Sequence, residues 1–319
     1  MAQRKPLSSD EWAARLAAGE RVALARAITA VENDRAEAKA VLRAVYGRAG
    51  GAQVVGITGA PGVGKSTLLN ALIAKYRALD KKVGVVAVDP SSPISGGAIL
   101  GDRIRMSEHG GDGGVFVRSL AARGHLGGLS RAAARVVDVM DAAGHDIVIV
   151  ETVGTGQSEV EIMDIAQTVL VVSAPGLGDD IQAVKAGILE IADILVVNKA
   201  DMPLADRTEA QLRDALALGH RPGWQVPVMK TASTTGEGIE ALVATIADHH
   251  GQLDRRDREE AGRARMRRLI ASTAADLLRD SMAASDDERL DKLCDAVSKG
   301  ELDFEDAAIR AAKLVTDGL

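Results

Sequence analysis

A single cysteine, Cys294, in 319 residues leaves no intramolecular disulfide and no Cys-x-Cys or Cys-x-x-Cys metal site. That usage suits a reducing cytoplasm. Aromatic residues make up 2% of the chain, two each of Trp, Tyr and Phe, so few rings are available for base stacking. The net charge of -6 supplies no pull on nucleic acid either. Long apolar runs are also missing. No segment offers about 18 uncharged apolar residues, and the start, MAQRKPLSSDEWAARLAAGE, lacks a continuous apolar stretch of the kind that directs export. The expectation is a chain with no nucleic-acid partner, no membrane insertion and no export.

What is present reads as a folded protein, with 46% hydrophobic and 26% charged residues. The length exceeds the usual single domain, and the text changes character twice. Residues 1–50 read as helices, with Trp12, Leu16, Val22, Leu24, Ile28, Val31, Val41, Leu42 and Val45 at helical spacing and Ser8, Ser9 or Asp10 as caps. This arm is expected to pack rather than to carry chemistry. Residues 51–250 hold short β-branched runs, QVVGIT, KVGVVAVD, GGVFVRS, DIVIVE, TVLVVSAP, DILVVNKAD and VPVMKT, mostly separated by helix-length stretches. Runs that are apolar on both faces belong in a mainly parallel sheet covered by helices, an α/β doubly wound domain. Residues 251–319 begin with the mixed charges of GQLDRRDREEAGRARMRRLI and read as a helical extension, a solvated face or a dimer contact.

The run QVVGIT leads into GAPGVGKST, Gly59–Thr67, and then into helical text. This is G-x-x-x-x-G-K-[ST] in its required context, strand, glycine loop and helix, where loop amides and a helix N-terminus converge on phosphates. Gly59, Ala60, Pro61, Gly62, Val63, Gly64 and Thr67 form the cradle. Lys65 reaches the β/γ-phosphates, and the Ser66 hydroxyl ligates Mg²⁺.

After ILVV stands NKAD, with Asn198, Lys199 and Asp201 in the N-K-x-D pattern of guanine recognition. Asp201 accepts from both N1–H and the exocyclic amine of guanine, a donor pair that adenine lacks. By itself the pattern is equally an Asn/Asp turn after a strand. Downstream of a phosphate loop, it points to GTP rather than ATP. A third base-side loop is expected at TAST, where Ala232, Ser233 and Thr234 follow VPVMK, with the usual Ser-Ala order reversed.

Three carboxylates fall at or beyond strand ends, where α/β sheets place ligands: Asp89, Asp102 and Glu151. Mg²⁺ keeps several waters, so one or two of these would touch it and another would act through water. The plain alternatives are a solvated strand end for Asp89 and Glu151, and a cap or an ion pair to Arg103 or Arg105 for Asp102. With Lys65, the three form the expected catalytic set. Glu151 opens VETVGTGQSE where most GTP switches carry the shorter aspartate of D-x-x-G. Gly154 in that loop donates its N–H to the γ-phosphate, and Gln157 is a weaker candidate for orienting water.

With these residues in place the sequence resembles the MeaB/ArgK/MMAA family of P-loop GTPases. Its carriers are GAPGVGKST, VDPSSPISGGAILGDRIRM (88–106), RGHLGGLS (123–130), VETVGTGQSE and NKAD. The resemblance implies GTP hydrolysis with GTP/GDP and Mg²⁺ as ligands. It also implies a homodimer held by C-terminal helices and a partner among adenosylcobalamin-dependent acyl-CoA mutases, most often methylmalonyl-CoA mutase. By position Asp89 matches the family's switch I aspartate, Asp102 its L-G-D aspartate, and Glu151 the glutamate that replaces the switch II aspartate. APGLGDDIQAVKAGI, 174–188, matches the segment called switch III, with Asp179, Asp180, Gln182 and Lys185 linking nucleotide state to the mutase.

Other readings share the phosphate loop. A metallochaperone GTPase needs a Cys/His site beside the nucleotide, and Cys294 is remote in sequence. An amino-acid-transport-associated kinase follows from a label carried by family members, though no segment marks an amino-acid pocket. A binding module in which GTP occupancy alone matters is the non-enzymatic reading. Arg103, Arg105, Arg118 and Arg123 are candidates for an internal arginine finger or, equally, for surface contacts. His109, His125, His145, His249 and His250 lack metal-ligand spacing and read as solvated.

Overall fold

The computed structural model describes residues 7–90, 109, 111–122, 128–152, 162–176, 186–217, 224–253, 255–285 and 287–316. They form two compact units, Met1–Arg258 and Glu259–Leu319.

The first unit is built on seven parallel strands: β1 Gln53–Thr58, β2 Val83–Pro90, β3 Val115–Ala122, β4 Ile147–Thr152, β5 Thr168–Ser173, β6 Ile194–Val197 and β7 Val228–Lys230. All seven coincide with the apolar runs in the sequence. Their order is β3-β2-β4-β1-β5-β6-β7. The phosphate-loop strand β1 is therefore interior, with Ile57 opposite Glu151 of β4 and opposite Leu170 of β5. The fold is that of a P-loop NTPase.

Alternate residues of each strand feed two faces, as a buried parallel sheet requires. On one face Val55 and Ile57 of β1, Leu170 and Val172 of β5, and Ile194 and Val196 of β6 meet two helices. These are α4, Lys65–Ala78, through Leu68, Leu72 and Ile73, and α8, Ile239–Gln252, through Leu242 and Ile246. On the other face Val169, Val171, Leu195 and Val197 pack with Ile162 and with α6, Ala186–Ile191, and α7, Ala205–Ala217. Helix α5, Gly128–Ala142, lies against β2, β3 and β4.

The N-terminal helices α1 Ser9–Ala17, α2 Arg21–Glu32 and α3 Ala38–Val45 belong to the same unit, and α2 and α3 pack on α5. Ser8 caps α1 reciprocally with Glu11: the Glu11 N–H donates to Ser8 Oγ (3.2 Å) and the Ser8 N–H to the Glu11 carboxylate (2.7 Å). Such a box stabilises a helix start by about 1 kcal/mol. Trp12, Leu16, Leu24, Ile28, Val31, Val41 and Val45 are buried, in keeping with their spacing, whereas Leu42 is half-buried and Val22 of α2 is exposed. Asp141 of α5 accepts from the N–H groups of Gly51 (3.2 Å) and Ala52 (2.9 Å), fixing the chain as it enters β1.

The second unit contains the helix α9, Arg255–Ala283, from Glu259 onward, followed by α10 Glu288–Ser298 and α11 Phe304–Thr316. Neither α10 nor α11 has a buried residue. Met266, Ile270, Leu277, Phe304 and Ile309 are exposed. Among the described residues no helix is long and apolar enough to cross a membrane.

Candidate functional site

Because every strand runs the same way, the carboxyl ends of β1, β4, β5 and β6 open on one edge of the sheet, beside the point where the strand order reverses. The chain leaves β1 through Gly59–Gly64 and enters α4 directly. Two of these glycines are required by their surroundings. At Gly59, φ is +139° and a Cβ would fall 2.1 Å from the Val172 carbonyl oxygen of β5. At Gly64, φ is +93° and a Cβ would fall 2.5 Å from Asn198 Nδ2. Any side chain at either position forces the loop away from β5 or β6.

Leu68 donates to the Gly64 carbonyl (2.9 Å), the bond that closes the first turn of α4. The amides before it have no acceptor inside the helix, so this terminus is suited to an anion. Lys65 is 7% exposed. Its ammonium donates to the carbonyls of Gly59 (2.7 Å) and Ala60 (2.9 Å), so the charge is held over the loop. Pro61, Gly62, Ser66 and Thr67 are exposed at the mouth, while Val63 is buried in the core below.

Glu151, 3% exposed, ends β4 beside β1, and its Oε1 accepts from Ser66 Oγ at 2.6 Å. Behind it, Thr152 donates to Thr58 across the same two strands (3.0 Å, both buried). The Ser66–Glu151 pair suits a divalent cation. Cis oxygens around Mg²⁺ at about 2.1 Å lie about 3 Å apart, close to the separation found here. Asp89 falls at the end of β2, in register with Ala121. Asp102, Gly154, Gln157 and Asp179, Asp180, Gln182 and Lys185, the residues expected to couple nucleotide state to a partner, lie outside the described residues, as do Arg103, Arg105, Arg123 and His125.

The N-K-x-D turn is tied to the phosphate loop by its asparagine, a role its sequence does not announce. Asn198, 1% exposed, donates from Nδ2 to the carbonyls of Val63 (3.0 Å) and Gly64 (3.3 Å). Its Oδ1 accepts from Thr231 Oγ1 (3.1 Å) and Ser233 Oγ (2.6 Å). One side chain therefore joins three loops. Lys199, at φ +56°, crosses to the Gly62 carbonyl (2.8 Å). Asp201 stands exposed after the turn. In the third loop the Ala232 N–H donates to the Glu237 carbonyl (3.0 Å), and Ala232 is fully buried. Its amide is thus committed within the protein, and Thr234 is the exposed residue of the three.

A family model described as methylmalonyl Co-A mutase-associated GTPase MeaB matches residues 24–287. The chain belongs to the MeaB family. A Pyrococcus horikoshii relative is 48% identical over 281 residues, spanning 86% of this chain and 89% of its own length. The Escherichia coli K12 protein described as GTPase ArgK is 38% identical over 245 residues, 73% of each chain. A solved structure described as a LAO/AO transport system kinase superposes with a TM-score of 0.73 at 26% identity, covering 99% of this chain and 100% of the other. This MeaB-family chain is a P-loop GTPase that binds GTP and GDP.

Two groups of side chains in the MeaB-family chain sit differently from a reading of the sequence alone. His249 is not solvated but buried, with Nδ1 2.9 Å from Thr168 Oγ1, Nε2 3.6 Å from Asp193 Oδ1 and its ring edge-on to Trp224. His145 is half-buried against Phe116 and the Met140 carbonyl, 2.8 Å from Nδ1. Burial lowers the pKa of both. Arg118, weighed as a finger, forms an ion pair with Glu32 of α2. The sequence offered no signal for that pair, which joins residues 86 positions apart.

Proposed function

We propose that this chain is a Mg²⁺-dependent GTPase that protects, loads or reactivates an adenosylcobalamin-dependent acyl-CoA mutase, with methylmalonyl-CoA mutase the leading case. The observation that carries the partner is the match over residues 24–287 to a family described by its association with that mutase. The cytoplasm is the proposed compartment. A homodimer is the proposed assembly, supported by the exposed apolar residues of α9 and α11, including Ile270, Leu277, Phe304 and Ile309.

In this reading Lys65 exchanges the carbonyls of Gly59 and Ala60 for β/γ-phosphate oxygens, and the first-turn amides of α4 hold the same group. Ser66, Glu151, Asp89 and Asp102 are the residues that hold Mg²⁺, directly or through water. The ion, when bound, neutralises charge on the phosphate oxygens. Asp201 reads guanine while Asn198 keeps base and phosphate loops in one arrangement. Gly154 senses the γ-phosphate, and Asp179, Asp180, Gln182 and Lys185 pass nucleotide state to the mutase.

The test is affinity capture of the native protein from cell extract with GTP present, followed by mutase turnover with GTP or a non-hydrolysable analogue. Recovery of a cobalamin-dependent mutase whose protection depends on hydrolysis is the expected result. Failure to recover one removes the partner and leaves the GTPase in place. The neighbour described as a kinase suggests a second reading, in which the γ-phosphate passes to an acceptor. Stoichiometric release of inorganic phosphate from GTP excludes it.

A further inference from the structure

A cleft of about 480 Å³ opens between α2 and β3, the strand at one edge of the sheet. Its size falls in the range of small-molecule sites, roughly 300–1,000 Å³. Four arginines, Arg21, Arg26, Arg35 and Arg118, line it together with Glu37 and an apolar surface that includes Val22 and Phe116. None of its lining residues belongs to the phosphate loop, the N-K-x-D turn or the carboxylate set.

Three of the four arginines are engaged in ways that aim them. Arg21 donates to the Val115 carbonyl (3.1 Å) along the open edge of β3 and stacks over Phe116, 5.6 Å from the ring centroid. Arg26 stacks over buried Trp12 at 5.5 Å and pairs with Glu37 at 3.3 Å. Arg118 pairs with Glu32. The exposed Arg35 guanidinium has no partner among the described residues. Four cations thus face two carboxylates, a local excess of positive charge on a chain whose net charge is -6. Fastening α2 to the sheet edge accounts for Arg21 and Arg118, and joining α2 to α1 and to the start of α3 accounts for Arg26. Neither accounts for Arg35, or for Val22 lining the cleft at 75% exposure.

We propose that this cleft is a second ligand site, which takes a small organic phosphate: the phosphate engages the guanidinium forks and the apolar body rests on Val22 and Phe116. Guanidinium groups match phosphate oxygens two at a time, and an apolar floor favours an organic ester over the free ion. The N-terminal helices then do more than pack. They build a binding site separate from the GTP site, and the proposal stands independently of the mutase assignment.

The experiment is calorimetric titration of the full-length protein, its nucleotide site saturated with GDP and Mg²⁺, using phenyl phosphate, inorganic phosphate and benzoate. Phenyl phosphate is expected to bind saturably at one site per chain, with inorganic phosphate and benzoate each weaker by about tenfold or more. Arg35→Glu and Val22→Asp, both at exposed positions, are expected to weaken phenyl phosphate by at least about tenfold while GTP hydrolysis stays unchanged. Arg35→Lys should retain part of the affinity. Absence of saturable binding up to about 10 mM overturns the proposal. Binding that is equal in wild type and both charge variants, or equal for all three probes, overturns it as well.

Discussion

Ser66 Oγ donates to Glu151 Oε1 across 2.6 Å, joining the first turn of α4 to the end of β4. The extra methylene of glutamate over aspartate lets a residue on the neighbouring strand reach the Ser66 hydroxyl. Glu151→Gln keeps the length and removes the charge. It is expected to leave GDP affinity within about twofold and to slow single-turnover phosphate release by about 10- to 100-fold. A hydrolysis rate equal to wild type would count against a metal-side role for Glu151.

Asn198 is the knot of the nucleotide site. Asn198→Ala leaves the Val63 and Gly64 carbonyls without their donor and the Thr231 and Ser233 hydroxyls without their acceptor. Stranding buried polar groups costs about 1–3 kcal/mol each, so a loss of about 3 kcal/mol and a fall in Tm of about 5–10 °C are expected. GTP and GDP affinities should fall together, since the tie serves loop position and not the γ-phosphate. Asn198→Asp keeps the acceptor but turns a second acceptor oxygen toward the Val63 and Gly64 carbonyls in a buried site, so it should lose at least as much as Asn198→Ala; calorimetric melts with and without GDP measure both variants.

In the proposed function Asp201 carries the choice of base. Replacing it with Asn exchanges one acceptor for a donor, which opposes the guanine amine and suits the xanthine oxygen. Asp201→Asn is expected to weaken GTP by about 100-fold and XTP far less. Competition binding with the two nucleotides reads the ratio, and unchanged GTP affinity would remove Asp201 from base recognition.

Much of this was legible beforehand because β-branched runs buried on both faces, and a glycine loop between strand and helix, are local patterns. The seven strands and the Gly59–Thr67 cradle needed nothing more. Sheet order is not local: nothing in QVVGIT says that its neighbours are DIVIVE and TVLVVS. Asn198 was visible as part of a signature, but its bonds to Val63 and Gly64 depend on two loops meeting. His249 reads as a helix-end histidine until Asp193 and Thr168, on other elements, close around it. The arginine cleft combines α2, the α2–α3 turn and β3, which no single stretch of sequence displays.

Burial holds His249 below the ordinary histidine range, with the Asp193 carboxylate opposing, and holds His145 down likewise, with the Met140 carbonyl opposing. The unfolded chain takes up protons at these rings near about pH 6.5, before the native chain does. Their contribution to stability is therefore full above that pH and is lost as the pH falls below it toward the depressed native values. Thermal melts from pH 8 to 5 should show a decline that His249→Gln makes shallower. Parallel curves for the two proteins would show that His249 is not a source of the decline.

The interior position of β1 has a consequence for how the protein is made. Gln53 pairs with Ile147 on one side, and Val55 pairs with Thr168 on the other. A chain emerging from the ribosome therefore carries its complete phosphate-loop sequence long before either neighbouring strand exists. The tie from Asn198 to Gly64 comes later still. Long-range parallel pairing of this kind is slow to form because the intervening loop must close first. The phosphate loop is thus expected to be held in place only after residues 147–198 have been made and paired.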